Sequence, residues 1–89
     1  MKENYTYPID YEAPREEILA VIAMFQVVEE AYEKGIVAEK VLAMYEVFKK
    51  YIKSIGEEKR LGRDFEAVSG YSLYRVVKEA KTGKKKIKL

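Results

Sequence analysis

Apolar side chains recur at the spacing of an α-helix in four stretches of this chain, and turn-forming residues separate the stretches. An amphipathic helix has to bury its apolar face against other elements, so this pattern constrains the fold more than any other feature does. We predict an all-α fold, a compact bundle of about four helices with an extended N-terminal arm. The expected helices span about 14–34, 38–53, 55–69 and 72–82.

Local signals at the helix ends support these bounds. Pro14 suits the first turn of a helix because it has no backbone N–H to leave unpaired. Gly35 follows the first helix, as glycine commonly does at a helix C-terminus. Ser54 and Glu57 have the spacing of a capping box, and Ser72 is expected to cap the fourth helix.

The chain has 89 residues, which leaves room for one domain with one core. We predict a helical domain over 1–82, which includes the arm, and a flexible basic tail over 83–89. Five lysines and no acid follow residue 80, while 12 basic and 15 acidic residues precede residue 81, so the net charge of the body is −3. Cationic chain ends of this kind are usually solvated and mobile.

The N-terminal segment differs from the rest, since aromatic and polar side chains alternate there around Pro8. This pattern favours an extended arm. At the start of the first helix, Ile18, Leu19 and Ile22 lie on the side that later carries glutamates, so this end is apolar nearly all round. The arm or a second copy of the protein is expected to cover it. The candidate residues for this packing are Tyr5, Tyr7, Tyr11, Ile18 and Ile22.

Histidine and cysteine, the commonest carriers of catalytic and metal-binding chemistry, do not occur in the sequence. Glu29, Glu30 and Glu33 fall on the polar side of the first helix, where solvation is the simplest role for them. The glycines form no phosphate-binding loop, and all lie at helix ends except Gly62, which is expected to mark a close helix contact. We therefore predict no catalytic residue, no cofactor and no metal, and a protein that is not an enzyme.

A group of basic residues on the last two predicted helices is the candidate interaction surface. Together with the lysine tail, it could bind the phosphates of RNA or DNA with release of counterions. Acidic residues such as Glu58, Asp64 and Glu66 interleave with these cations and weaken a continuous positive field. The surface comprises Lys59, Arg60, Arg63, Arg75 and Lys78.

These features predict a non-enzymatic helical binding module that acts through a protein partner or by self-association as a homo-oligomer. Nucleic-acid binding through the basic surface is the alternative. The longest apolar run, 18–28, is shorter than the ~20 residues that cross a bilayer, so no membrane association is expected. The absence of cysteine and of a secretory pattern at the N-terminus predicts a cytoplasmic protein.

Four segments of the sequence resemble those of a known protein family. They are YPIDY at 7–11, AYEKGI at 31–36, EEKRLGRDFE at 57–66 and SGYSLYRVVK at 69–78. In this order they resemble the small bacterial family UPF0223, over nearly the whole chain up to the lysine-rich tail. The resemblance implies a compact helical protein from a low-GC Gram-positive bacterium. The family is uncharacterised, so the resemblance does not assign an activity or catalytic residues to this chain.

Overall fold

A computed structural model describes residues 5–89 and shows four helices and one short pair of strands in that range. The helices are α1, Arg15–Glu33; α2, Ala38–Tyr51; α3, Ile55–Ser69; and α4, Leu73–Ala80. The strands are β1, Ile36–Val37, and β2, Lys86–Ile87. The predicted all-α bundle is confirmed, and every helix end lies within two residues of its predicted position.

The serine caps of α3 and α4 form as the sequence predicts, but within residues 5–89 the Glu57 side chain does not return the bond to the Ser54 N–H that completes a capping box. The Ser54 side chain accepts a hydrogen bond from the backbone N–H of Glu57 at 3.3 Å, and Ser72 accepts one from Arg75 at 3.1 Å. Each bond satisfies one of the backbone donors that the start of a helix leaves unpaired. Gly35 adopts a left-handed φ of 95° after α1, a conformation that strains residues with a Cβ. Local chemistry therefore sets the starts of α3 and α4 and the end of α1, whereas α1 and α2 begin without a side-chain cap.

Three phenylalanines form the centre of the core, and all are fully buried. Phe25 of α1 stacks on Phe65 of α3 with the ring centroids 4.3 Å apart, and α2 contributes Phe48. Aliphatic side chains of α1, α2 and α4 fill the space around the rings. Because every helix contributes to this one cluster, close packing fixes the helices relative to one another.

The C-terminal segment does not form the predicted flexible tail. β2 pairs with β1 in antiparallel register, with Ile87 opposite Ile36, and the Ile87 side chain is only 1% exposed. The Leu89 N–H also donates a hydrogen bond to the Ala31 carbonyl at 3.0 Å. Because Ile87 and Leu89 alternate with lysines, a strand can bury one face and leave the lysines in solvent. The structure therefore corrects the prediction for 83–89, which rested on the lysines and overlooked this alternation.

The N-terminal arm covers the core with two of its three tyrosines. Tyr5 and Tyr7 pack on a buried phenylalanine of α3, and the ring centroids are 6.1 Å apart in each case. Tyr11, which we expected to pack with them, is instead 65% exposed. The Ala13 N–H donates to the Asp10 carbonyl and closes a turn, which ends the alternation that would direct Tyr11 inward.

The apolar start of α1 is covered in part. Ile18 is partly buried and shares a shallow pocket with Ile9 of the arm, and Ile22 is also partly buried. Leu19 is about half exposed. The arm thus supplies some of the cover that the sequence demands, and it leaves Leu19 in contact with solvent.

Candidate functional site

The α3–α4 groove is the candidate functional site. It lies between α3 and α4, receives side chains from α2 and has a volume of about 740 Å³. Ile55 and Tyr74 are 66% and 73% exposed, the highest values among the large apolar side chains of residues 5–89. A stable fold gains nothing by holding such side chains in water, so their position on one groove needs another explanation. The apolar lining comprises Ile55, Gly62, Leu73, Tyr74 and Val77.

Gly62 keeps the middle of the groove open. A Cβ at this position would lie 3.9 Å from the Cβ of Leu73, which is an ordinary van der Waals separation. Helix packing therefore does not require glycine here, in contrast to the close contact that its place in α3 suggests. Glycine inside a helix lowers helix stability by up to ~1 kcal/mol relative to alanine. The space left by the missing side chain forms part of the groove.

Four exposed cations surround the apolar lining. Lys59 and Arg63 lie one helical turn apart on α3, whereas Lys78 lies in the last turn of α4 and Lys81 is the C-cap residue of that helix. Neither Lys59 nor Arg63 forms an ion pair within residues 5–89. The Lys78 Nζ atom lies 5.9 Å from the ring centroid of Tyr74, within cation–π distance. The groove therefore presents positive charge on both of the helices that form it.

A partly buried polar cluster neutralises one of the two carboxylates in the groove. Glu58 accepts a hydrogen bond from the Tyr45 hydroxyl at 2.7 Å and pairs with the Lys49 Nζ at 2.6 Å. Burial, and then the hydrogen bond to Glu58, raise the pKa of Tyr45 to about 12, so the phenol stays protonated. The Lys81 Nζ lies 5.2 Å from the ring centroid of Tyr45. Glu66 is then the one groove carboxylate without a salt bridge inside residues 5–89.

The structure divides the five basic residues that the sequence groups together. Lys59, Arg63 and Lys78 line the α3–α4 groove, whereas Arg60 and Arg75 do not. Arg60 faces the arm side of α3, where its guanidinium lies 3.4 Å from the Asp64 carboxylate and lines the shallow pocket beside the arm. Arg75 is exposed outside the groove. Sequence position alone does not separate the two groups.

The basic residues that the sequence singles out do not predict the apolar half of the groove. A signal for it exists, since Ile55 and Tyr74 fall outside the apolar stripes of α3 and α4. A large apolar side chain on the polar face of a helix is exposed unless another chain covers it. The sequence does not mark Lys49 and Lys81 as groove residues, because Lys49 falls on the exposed side of α2 and Lys81 is one of several lysines at the end of the chain.

Comparison with known proteins gives the family. A family model described as "Uncharacterised protein family (UPF0223)" matches residues 4–88. The chain belongs to the UPF0223 family. A UPF0223 protein of Streptococcus sanguinis is 52% identical over 90 residues, which cover 100% of this chain and 98% of the relative. A UPF0223 protein of Enterococcus faecalis is 50% identical, with coverage of 98% and 96%.

Two of the four segments that carry the UPF0223 resemblance, 57–66 and 69–78, form most of α3 and α4 and therefore build most of the groove. The family is uncharacterised, so membership assigns no role to the groove residues. Among residues 5–89 of this UPF0223 chain, the helices lack the combination of length and apolar character that a bilayer span requires. The same residues contain no cluster of three or more side chains of the His, Cys, Asp or Glu type that could hold a metal ion.

A second polar cluster of this UPF0223 protein joins the arm to α1. Tyr5 and Tyr7 both donate hydrogen bonds to the Glu29 carboxylate, and the Tyr7 bond measures 3.0 Å. Glu29 is thus not the solvated residue that its place on the polar side of α1 predicts. Burial, and then the hydrogen bond to Glu29, raise the pKa of Tyr7 to about 12 and raise that of Tyr5 as well.

Alkaline pH should destabilise the protein because of these phenols. Tyr7 has an ordinary pKa of 10.0 when unfolded and a pKa of about 12 when folded. The unfolded state loses its proton first, so the free energy of unfolding is expected to fall as pH rises from 10.0 towards 12. Urea titrations at several pH values measure this slope. Tyr7→Phe should reduce the slope, with Tyr11→Phe as the exposed control, and an unchanged slope for Tyr7→Phe would contradict the assignment.

Proposed function

We propose that the protein is a non-enzymatic binding module that acts through a protein partner, with the α3–α4 groove as its recognition surface. The observation that carries the proposal is the exposure of Ile55 and Tyr74, at 66% and 73%, on one groove flanked by cations. Tyrosine and arginine are enriched at the energetic centres of protein interfaces. Covering these apolar side chains would provide the free energy of association.

The groove is suited to recognition because rigid elements form it. Ser54 and Ser72 cap the two helices, and both helices rest on the phenylalanine core. A preformed surface loses little conformational entropy when it binds, which leaves more of the burial energy for affinity.

The absence of histidine and cysteine from the sequence supports a role without catalysis. We place this role in the cytoplasm. A chain without cysteine needs no oxidising compartment to fold. Fractionation of cells that produce the protein with a C-terminal epitope checks the location. The epitope is expected in the fraction that contains cytoplasmic marker proteins, and its recovery with membranes or culture medium would contradict the placement.

Nucleic-acid binding is the second candidate, because an exposed tyrosine beside four cations also suits a base stacked above a phosphate-binding groove. Two observations favour a protein instead. The floor contains the aliphatic residues Leu73 and Val77, which offer nothing specific to a base. The lysines at 84–88 do not line the groove, so they do not extend its positive field.

Site-specific photocrosslinking in the producing cells tests the proposal. A benzoylphenylalanine replaces Tyr74 in the groove or, as the matched control, Tyr11, which is also exposed but lies outside the groove. We expect a protein to crosslink at position 74 and not at position 11. Mass spectrometry then identifies this protein, and the purified partner is bound to the wild-type chain and to Gly62→Leu.

The Gly62→Leu variant separates binding from folding. Leucine is a better helix former than glycine by about 0.8 kcal/mol, so α3 should be retained while the side chain fills the groove. We expect the partner to bind this variant about tenfold or more weakly, because the groove is blocked. Equal binding, equal crosslinking at both positions, or crosslinks to RNA in place of protein would contradict the proposal. Crosslinks to a second copy of the chain would indicate that the protein acts by self-association and not through a different protein.

A further inference from the structure

We infer that the occupant of the α3–α4 groove is an acidic amphipathic helix of another protein. The inference rests on the proposed function, because it names the chemistry of the partner for the same surface. Three properties of the groove lead to it, namely the elements that line it, its length and the placement of its cations.

The lining elements favour a helix over an extended peptide. Every side chain of the groove comes from a helix or from one of the two cap residues of α4, Ser72 and Lys81, and the backbone groups within α3 and α4 are paired inside those helices. An extended peptide would find no strand edge here to satisfy its own N–H and C=O groups. A helix satisfies these groups internally and needs to contribute only its apolar face.

The length of the groove matches a short helix. It extends along α3 from Ile55 to Glu66, which at the rise of an α-helix corresponds to about 16 Å, or about three turns. Leu73 and Val77 follow each other by one turn on α4 and give the groove an apolar floor. An apolar stripe at positions i, i+3 or i+4, and i+7 of a partner helix would lie along this floor, as in other helix-in-groove complexes.

The cations determine the charge of the partner helix. Lys59 and Arg63 place two positive charges on α3, and Lys78 of α4 and Lys81 at the C-cap of α4 place two more on the other side of the groove. Glu58 is neutralised by its contact with the Lys49 Nζ at 2.6 Å, which leaves Glu66 as the one opposing carboxylate of the groove within residues 5–89, against four cations. A helix with an apolar stripe therefore gains most when aspartate or glutamate flanks the stripe on both sides. Such complementarity raises the association rate and excludes basic partners.

Fluorescence anisotropy with designed peptides tests the inference. The probe is a labelled helical peptide about three to four turns long, with leucines at i, i+3 and i+7 and glutamates on both sides of the leucine stripe. A second peptide has lysine in place of every glutamate, a third is a scrambled sequence, and a labelled oligouridylate represents RNA. We expect the acidic peptide to bind about tenfold or more tightly than the other three probes, with an affinity that falls as salt is added.

Matched charge reversals assign the binding to the groove. Arg63→Glu with Lys78→Glu should weaken binding of the acidic peptide about tenfold or more, because both rims lose their attraction. Lys40→Glu with Lys53→Glu reverses the same charge at exposed positions outside the groove and should have a much smaller effect. Circular dichroism of both double variants verifies that the helices are intact.

The results separate this inference from the proposed function. If a partner crosslinks at position 74 but the acidic peptide binds no more tightly than the lysine peptide, the proposed function stands and the acidic helix is wrong. Equal effects of the two double charge reversals would also overturn the inference. So would tighter binding of the oligouridylate, which favours nucleic acid. A dimer in sedimentation that Arg63→Glu with Lys78→Glu dissociates would make a second copy the occupant.

Discussion

Replacing Phe65 with alanine is expected to lower the free energy of unfolding by about 3–5 kcal/mol. The Phe65 ring is fully buried and stacks on Phe25 at a centroid distance of 4.3 Å, and the rings of Tyr5 and Tyr7 cover it. The substitution removes the contacts of Phe65 with three other aromatic rings and leaves a cavity between α1, α3 and the arm. Small domains have a total stability of only about 5–15 kcal/mol, so the variant should be close to unfolding.

Urea denaturation followed by circular dichroism measures this effect. Tyr74→Ala is the matched control, because it also removes an aromatic ring from the α3–α4 region but from an exposed position. Surface substitutions usually change stability by less than about 0.5 kcal/mol. A loss below about 1 kcal/mol for Phe65→Ala would show that the arm and the two helices do not close around this ring. An unchanged stability of Tyr74→Ala would also show that the groove can be altered at Tyr74 without loss of the fold.

Replacing Ile87 with alanine is expected to lower the free energy of unfolding by about 2–4 kcal/mol. The side chain is 1% exposed and belongs to the core, although it lies in the lysine-rich end of the chain. Its loss would leave a cavity beneath β1 and weaken the pairing of Ile87 with Ile36. The size of the effect distinguishes an integrated strand from a solvated tail.

Lys85→Ala is the control for this substitution, since its side chain is exposed while its backbone carbonyl still accepts the hydrogen bond from Ala38. We expect the control to change stability by less than about 0.5 kcal/mol. Hydrogen exchange adds a second readout, in which the amides of Ala38 and Leu89 should be protected. If Ile87→Ala and Lys85→Ala have equal effects and both amides exchange freely, the end of the chain is mobile after all.

The candidate site was partly predictable. The basic character of α3 and α4 follows directly from the sequence, and Lys59, Arg63 and Lys78 do lie in the groove. Arg60 and Arg75 belong to the same charge pattern but lie elsewhere, because their directions depend on how α3 and α4 pack. The exposure of Tyr74 could not be derived from residue type, since most of the other tyrosines pack at least partly inside the protein.

The sequence by itself determined the helices and their ends, because apolar periodicity, the Ser54 and Ser72 caps and Gly35 act over a few residues. Only the tertiary structure decided the remaining features. Tyr5 bonds to Glu29, which is 24 positions away, and Ile36 pairs with Ile87 across most of the chain. Such contacts form because the packed helices bring distant residues together, and no local pattern encodes that proximity. The groove has the same origin, since it exists only where α2, α3 and α4 meet.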